Sequence, residues 1–111
     1  MPLLSITTSI KVEEKTLFLK NCSQLISKLT NKSENYVMVR LFDQTPMYFN
    51  KDLGPSCFIN LKSIGSLNPP VMSDELSNLI SNEIGIPNNK IYICFEDIDP
   101  SNWAWNGRPF G

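Results

Sequence analysis

Two segments of the chain, SKLTNKSENYVMVRLF at residues 27–42 and NEIGIPNNKIYICFED at residues 82–97, follow the same pattern. Each runs from an apolar helix end, through a short polar turn, into a strand rich in β-branched and apolar residues. Such an echo predicts two copies of one supersecondary unit, covering about residues 1–55 and 56–111 of a single domain. The order of strands and helices in both halves follows from it.

The residues around these segments complete each unit. In the first half, apolar spacing predicts a strand at 3–8, an amphipathic helix at 13–29 and a strand at 36–42. In the second half, the pattern predicts a strand at 57–64 and another at 90–96. The helix between them is expected to begin after an N-cap at Ser73 and to end at Gly85.

This order predicts an α+β protein of the βαβ type. Crossovers of this length favour parallel strands within each unit. The two units together are expected to form one four-stranded mixed sheet. Both helices would cover the same face of that sheet. Because the chain has only 111 residues, further subunits are the expected cover for the opposite face.

Composition excludes several classes of function. A formal net charge of −1 without any run of Lys or Arg argues against a nucleic-acid partner. No apolar run is long enough to span a bilayer, and residues 1–20 lack a secretory signal pattern, so a cytoplasmic protein without membrane insertion is expected. The three widely spaced cysteines form no CxxC pair and the chain has no His, so neither a metal nor another cofactor is expected.

The absence of His also removes the usual general base, and Pro2 offers an alternative. If Met1 is removed, Pro2 becomes the first residue and carries a ring secondary amine in place of an amide. A free α-amino group titrates near neutrality, at about 7.7–8.0 in peptides, and burial or nearby cations lower that pKa. The other reading is that Pro2 is merely a residue near a chain end.

Five features in order show a resemblance to a known family: the MP start, Lys32 after the first helix, the KSIG turn, the IYI strand and the WNG-x-x-F end. Over essentially its whole length the chain resembles the macrophage migration inhibitory factor family of the tautomerase superfamily. The resemblance implies a homotrimer with an active site at each subunit interface and Pro2 at its base. It also implies a cofactor-free keto–enol tautomerase for phenylpyruvate-like aromatic α-keto acids.

The resemblance assigns further site residues. Lys32 and the backbone N–H of Ile64 would bind the substrate carboxylate, and Cys94 is a further substrate-binding position. Tyr92 would come from the neighbouring subunit, either to hydrogen-bond the substrate or to pack in the trimer core. Pocket-lining positions are expected at Leu3, Tyr36, Trp103, Trp105 and Phe110. Lys62 stands where relatives often have His; added positive potential at the pocket and a solvated strand lysine remain equally open.

Two departures from the family pattern affect the expected chemistry. Cys94 replaces an asparagine that helps hold a para-hydroxyl group, and cysteine is a poor hydrogen-bond donor. A weak preference for hydroxyphenylpyruvate and weak dopachrome activity are therefore expected. Asn60 replaces the second cysteine of the CxxC found in animal members, which leaves no resolving thiol.

Two alternatives to an enzyme stay open. One is a cytokine-like mediator that binds an unidentified receptor and leaves the cell by a non-classical route, as animal members do. The other is a structural trimer with vestigial catalysis.

Overall fold

The computed structural model describes residues 1–111 and contains six strands and two α-helices. The elements of the first half are β1 (Pro2–Thr8), α1 (Lys15–Thr30) and β2 (Met38–Phe42). Those of the second half are β3 (Cys57–Ser63), α2 (Pro69–Ile84), β4 (Ile91–Asp97), β5 (Ala104–Trp105) and β6 (Arg108–Pro109). No helix is long and apolar enough to cross a membrane.

The four long strands form one mixed sheet in the order β2-β1-β3-β4. Strands β1 and β2 are parallel, as are β3 and β4, and each parallel pair is connected through an α-helix. The two central strands β1 and β3 run antiparallel and join the halves. The predicted mixed sheet with parallel pairs is therefore confirmed, whereas the small β5–β6 hairpin was not predicted.

Both helices cover one face of the sheet, as predicted. Alternate residues of the central strands point to that face, because Leu4 pairs with Leu61 and Ile6 with Ile59 in register. These four side chains are fully buried against the inner stripes of α1 and α2. The stripes consist of Phe18, Cys22, Ile26, Met72, Leu76 and Ile80. Burial of these apolar groups is the main stabilisation of the fold.

The opposite face of the sheet is open and of mixed character. Met38 is 63% exposed, Phe42 49% and Tyr92 61%. A hydrogen bond lies between them, in which Arg40 Nε donates to Ser5 Oγ at 2.7 Å. Exposed apolar side chains in this number mark an interaction surface.

Helix starts were predicted less well than helix ends. The predicted N-cap at Ser73 is wrong, since α2 begins at Pro69 with Asn68 as its N-cap. Proline is accommodated in the first turn because the N–H it lacks would have no partner there. Gly85 ends α2 as predicted, with a left-handed φ of 73°. Strand β2 starts two residues late because residues 34–36 form a 3₁₀ turn capped by Ser33.

We expect Ile59→Ala to lower the free energy of unfolding by about 2–5 kcal/mol, because it leaves a cavity between the sheet and both helices. The exposed Val71→Ala should change it by roughly 0.5 kcal/mol or less. Urea unfolding at matched protein concentration measures both. An Ile59→Ala variant as stable as Val71→Ala would show that the core does not lie where the sheet register puts it.

Candidate active site

A cavity of about 510 Å³ opens at the end of the sheet where the chain begins. It lies between the start of β1, the turn before β2 and the C-terminal hairpin. Ten of its fourteen lining residues are hydrophobic, so a charged group on its wall is poorly solvated. The predicted site residues that line it are Pro2, Leu3, Tyr36, Lys62, Trp103, Trp105 and Phe110.

The sheet places Pro2 on the wall of this cavity. Pro2 is the first residue of β1, lies opposite Ser63 of β3 and is buried. In the chain with Met1 present, the ring nitrogen belongs to an amide and has no basicity. Met1 itself lines the cavity.

The aromatic wall is built by two short local structures. Tyr36 ends the 3₁₀ turn before β2, and its ring meets Trp105 edge-to-face with centroids 6.0 Å apart. Trp105 stands on β5, and the hairpin turns at Asn106 and Gly107, which both have positive φ. The backbone N–H of Phe110 donates to the Trp103 carbonyl at 2.9 Å and holds the chain end against the hairpin.

Lys32 acts on the chain start through its charge and does not line the cavity wall. It follows Asn31, whose left-handed conformation ends α1. Burial, and after it the Lys32 ammonium, lower the pKa of the Met1 α-amino group below its ordinary value. Both causes disfavour the charged amine.

Besides Lys32, three predicted residues do not line this cavity. Ile64 lines a neighbouring hollow together with Gly65 and Asp97, where the Gly65 N–H donates to Asp97 Oδ1 at 3.0 Å. Tyr92 and Cys94 lie exposed on β4, the edge strand at the opposite side of the sheet from β2. A single chain therefore does not bring these two residues to the chain start.

Tyr92 is held on its edge by the loop between β2 and β3. Its ring lies 4.5 Å from the ring of Phe49, centroid to centroid. The loop is fastened by Lys90, only 8% exposed, whose Nζ donates to the Phe49 carbonyl at 3.0 Å and lies 3.3 Å from Asp52 Oδ2. Sequence reasoning did not find this anchoring of Phe49 by Lys90.

The remaining lining residues were missed by the sequence analysis. They are Met1, Asn35, Val37, Met38, Ile98, Asn102 and Ala104. Strand alternation could have found Met38, because it lies two residues from Tyr36 and shares its face. No local signal marks Ile98 or Asn102. Both follow β4, whose pairing with β3 extends to Ile98, because the Ile98 N–H donates to the Ser63 carbonyl at 2.9 Å.

Comparison with known proteins agrees with the family resemblance seen in the sequence. The family profile described as Macrophage migration inhibitory factor (MIF) matches residues 1–111. A macrophage migration inhibitory factor homolog of Brugia malayi is 36% identical, and the alignment covers both chains entirely. A homolog of Trichinella spiralis is 30% identical over 99% of this chain and all of the relative.

Solved structures agree with the fold. The crystal structure of a macrophage migration inhibitory factor homologue from Prochlorococcus marinus superposes with a TM-score of 0.94 and 35% identity, covering 98% of this chain and 99% of that one. The protein from Trichinella spiralis gives 0.91 at 29% identity, covering 97% and 99%. The chain therefore belongs to the macrophage migration inhibitory factor family and has the fold of the tautomerase superfamily.

Proposed function

We propose that the chain, once Met1 has been removed, is a cofactor-free tautomerase for phenylpyruvate-like aromatic α-keto acids. The observation that carries this proposal is the α-amino group at the chain start, whose pKa burial and Lys32 both lower. Loss of Met1 would move that amine one residue along the chain, to Pro2, which is buried on the wall of an aromatic cavity. The same two causes would then act on the ring nitrogen.

The proposed reaction needs one group that takes a proton and returns it. The neutral Pro2 nitrogen removes a proton from the carbon beside the keto group, and the C–H electron pair becomes the C=C bond of the enol. The carbonyl oxygen then gains a proton, and ketonisation is the reverse. A base whose pKa lies near the working pH performs such transfers best, and the pyrrolidine ring limits the directions in which the nitrogen points.

Substrate binding would use one set of groups for the carboxylate and another for the aromatic ring. The Lys32 ammonium, with the Ile64 backbone N–H, would bind the carboxylate close to Pro2, in agreement with the effect of Lys32 on the amine. The edge-to-face pair of Tyr36 and Trp105 would pack against the aromatic ring, with Trp103 and Phe110 beside it and Leu3 on the floor.

We further propose that the active form is a homotrimer whose sites are shared between neighbouring chains. The exposed apolar side chains of the open sheet face support an assembly. In such an assembly, Tyr92 and Cys94 of one chain would complete the cavity of the next, and Phe49 would hold the Tyr92 ring in place. Because a thiol is a weak donor, a para-hydroxyl group on the substrate gains little, and dopachrome activity is weak.

A second candidate function is that of a protein-interaction mediator, in the cytoplasm or after export. It is favoured by the relatives, which are named for an effect on macrophage migration. A variant without tautomerase activity separates the two candidates, since an interaction through the protein surface would survive the loss of the base.

The test of the proposed function is an ultraviolet assay of phenylpyruvate ketonisation with processed wild-type protein and Pro2→Gly. The variant keeps a free α-amino group but loses the ring that orients it, so we expect turnover to fall at least about tenfold. Intact mass must show that Met1 is absent, and size exclusion must show an unchanged assembly. Wild-type turnover in Pro2→Gly, or full activity in protein that retains Met1, would contradict the proposal.

The pH dependence should change when Lys32 is replaced. The neutral amine is the active form, so kcat/KM falls as the pH drops through the amine pKa, and a lowered pKa keeps the enzyme active at lower pH. Lys32→Met removes a cation that disfavours the ammonium, so the acidic limb should move to higher pH, and KM for phenylpyruvate should rise. Profiles of kcat/KM measure this, with the exposed Lys20→Met as control. An acidic limb in Lys32→Met that coincides with the control would contradict the assignment of Lys32.

If each site is shared between two chains, assemblies that mix two impaired variants should regain activity. Homogeneous Pro2→Gly and Tyr92→Ala proteins should both be impaired, but co-refolded subunits place an intact Pro2 beside an intact Tyr92 at some interfaces. At equal mixing, about one quarter of the interfaces in a closed ring should be intact, and activity should recover accordingly. If each site belonged to one chain, mixing would restore nothing beyond the average of the two variants.

A further inference from the structure

The wall of the cavity carries one charged side chain, that of Lys62. No Asp or Glu lines the cavity, and Lys32 stands outside the wall. Lys62 lies near the end of β3, directly opposite Leu3 of β1 on the open face of the sheet. The cavity therefore presents one ammonium group to whatever enters it.

The Lys62 ammonium has no partner of its own. The three ion pairs of the chain use Lys11, Lys15 and Lys90. The acid opposite Lys62 in register is Glu96 on β4, but its carboxylate accepts from Asn60 Nδ2 at 2.9 Å and forms no ion pair with Lys62. An unpaired lysine on an apolar wall is available to an anionic ligand.

Lys32 and Lys62 have different relations to the chain start. Lys32 acts on the α-amino group from outside the cavity wall, whereas Lys62 stands on the wall itself. A substrate whose carboxylate is bound by Lys32 would place its ring among the residues that line the cavity, and these include Trp105 and Lys62. An unsubstituted phenyl ring would leave the Lys62 ammonium without a counter-charge.

We propose that Lys62 determines substrate choice and that the site prefers aromatic α-keto acids with a second carboxylate on or near the ring. This inference rests on the proposed function, because Lys32 and Pro2 are assumed to hold the keto-acid end. Lys62 takes no part in proton transfer; it contributes binding energy to the second anionic group.

Binding can be tested without catalysis, because the two tryptophans of the chain, Trp103 and Trp105, both line the cavity and report on its occupancy. The probes are 3-phenylpropionate and its dianionic analogue 3-(4-carboxyphenyl)propionate, titrated into processed protein at low salt. We expect the dianion to bind about five- to tenfold more tightly than the monoanion, which corresponds to one partly exposed charge pair. Added salt should reduce the difference.

The variants are Lys62→Met, which keeps the aliphatic stem, Lys62→Arg, which keeps the charge, and Lys20→Met as a matched control on the exposed side of α1. Lys62→Met should abolish the preference for the dianion, while Lys62→Arg and Lys20→Met should retain it. Circular dichroism confirms folding of each. A dianion preference that is absent in the wild type, or unchanged in Lys62→Met, would overturn the inference. So would its loss in Lys20→Met, since the effect would then come from net charge.

Kinetics with phenylpyruvate and 4-carboxyphenylpyruvate separate the two proposals. Activity on both, with the dianion preferred through a lower KM in wild type but not in Lys62→Met, supports both. Activity on phenylpyruvate with no effect of Lys62 on either KM overturns the role of Lys62 and leaves the tautomerase intact. Inactivity on both substrates refutes the proposed reaction, and the fluorescence titrations then decide the role of Lys62 on their own.

Discussion

Pairing of β1 with strands on both sides is the constraint on which the rest of the structure depends. Pro2 lies opposite Ser63, and Leu3 lies between Met38 and Lys62, so the first residues of the chain are held in the middle of a sheet. Chain ends are usually exposed and mobile, and their amines are fully solvated. Here the pairing brings the chain start to the wall of an apolar cavity, where burial and then Lys32 lower the pKa of the α-amino group.

The other parts of the site reach the chain start from elements far apart in sequence. Lys32, which acts on the chain start through its charge, follows the left-handed end of α1, and the Asn106–Gly107 turn connects β5, which carries Trp105 against Tyr36, to β6. The helix end and the hairpin turn are both local backbone conformations, and each depends on residues with positive φ. The proposed site is also incomplete in one chain, because Tyr92 lies on the far edge strand, with its ring against that of Phe49. This division between chains connects the proposed catalysis to the proposed assembly.

Local pattern was sufficient to predict most of the fold. The echo between the two halves predicted both βαβ units, and the apolar periodicity predicted the buried face of each helix. Ser73 was wrongly chosen as N-cap because two prolines suggested a turn, although proline is compatible with a first helical turn. The Asn-Gly pair could have predicted the hairpin. Ile98 and Asn102 could not be predicted, since they line the cavity from the segment after β4, which carries no pattern of its own. The places of Tyr92 and Cys94 in a site came from the family resemblance alone, because only contact between chains could bring them to one.

The most direct measurement is a titration of the N-terminal nitrogen itself, by nuclear magnetic resonance of processed protein labelled with ¹⁵N-proline. The same nitrogen in a short peptide beginning Pro-Leu-Leu serves as the solvated reference. If burial and Lys32 act on the chain start as described, the midpoint of its nitrogen in the folded protein lies below that of the peptide. A midpoint equal to or above that of the peptide would contradict the role of Pro2 as the general base.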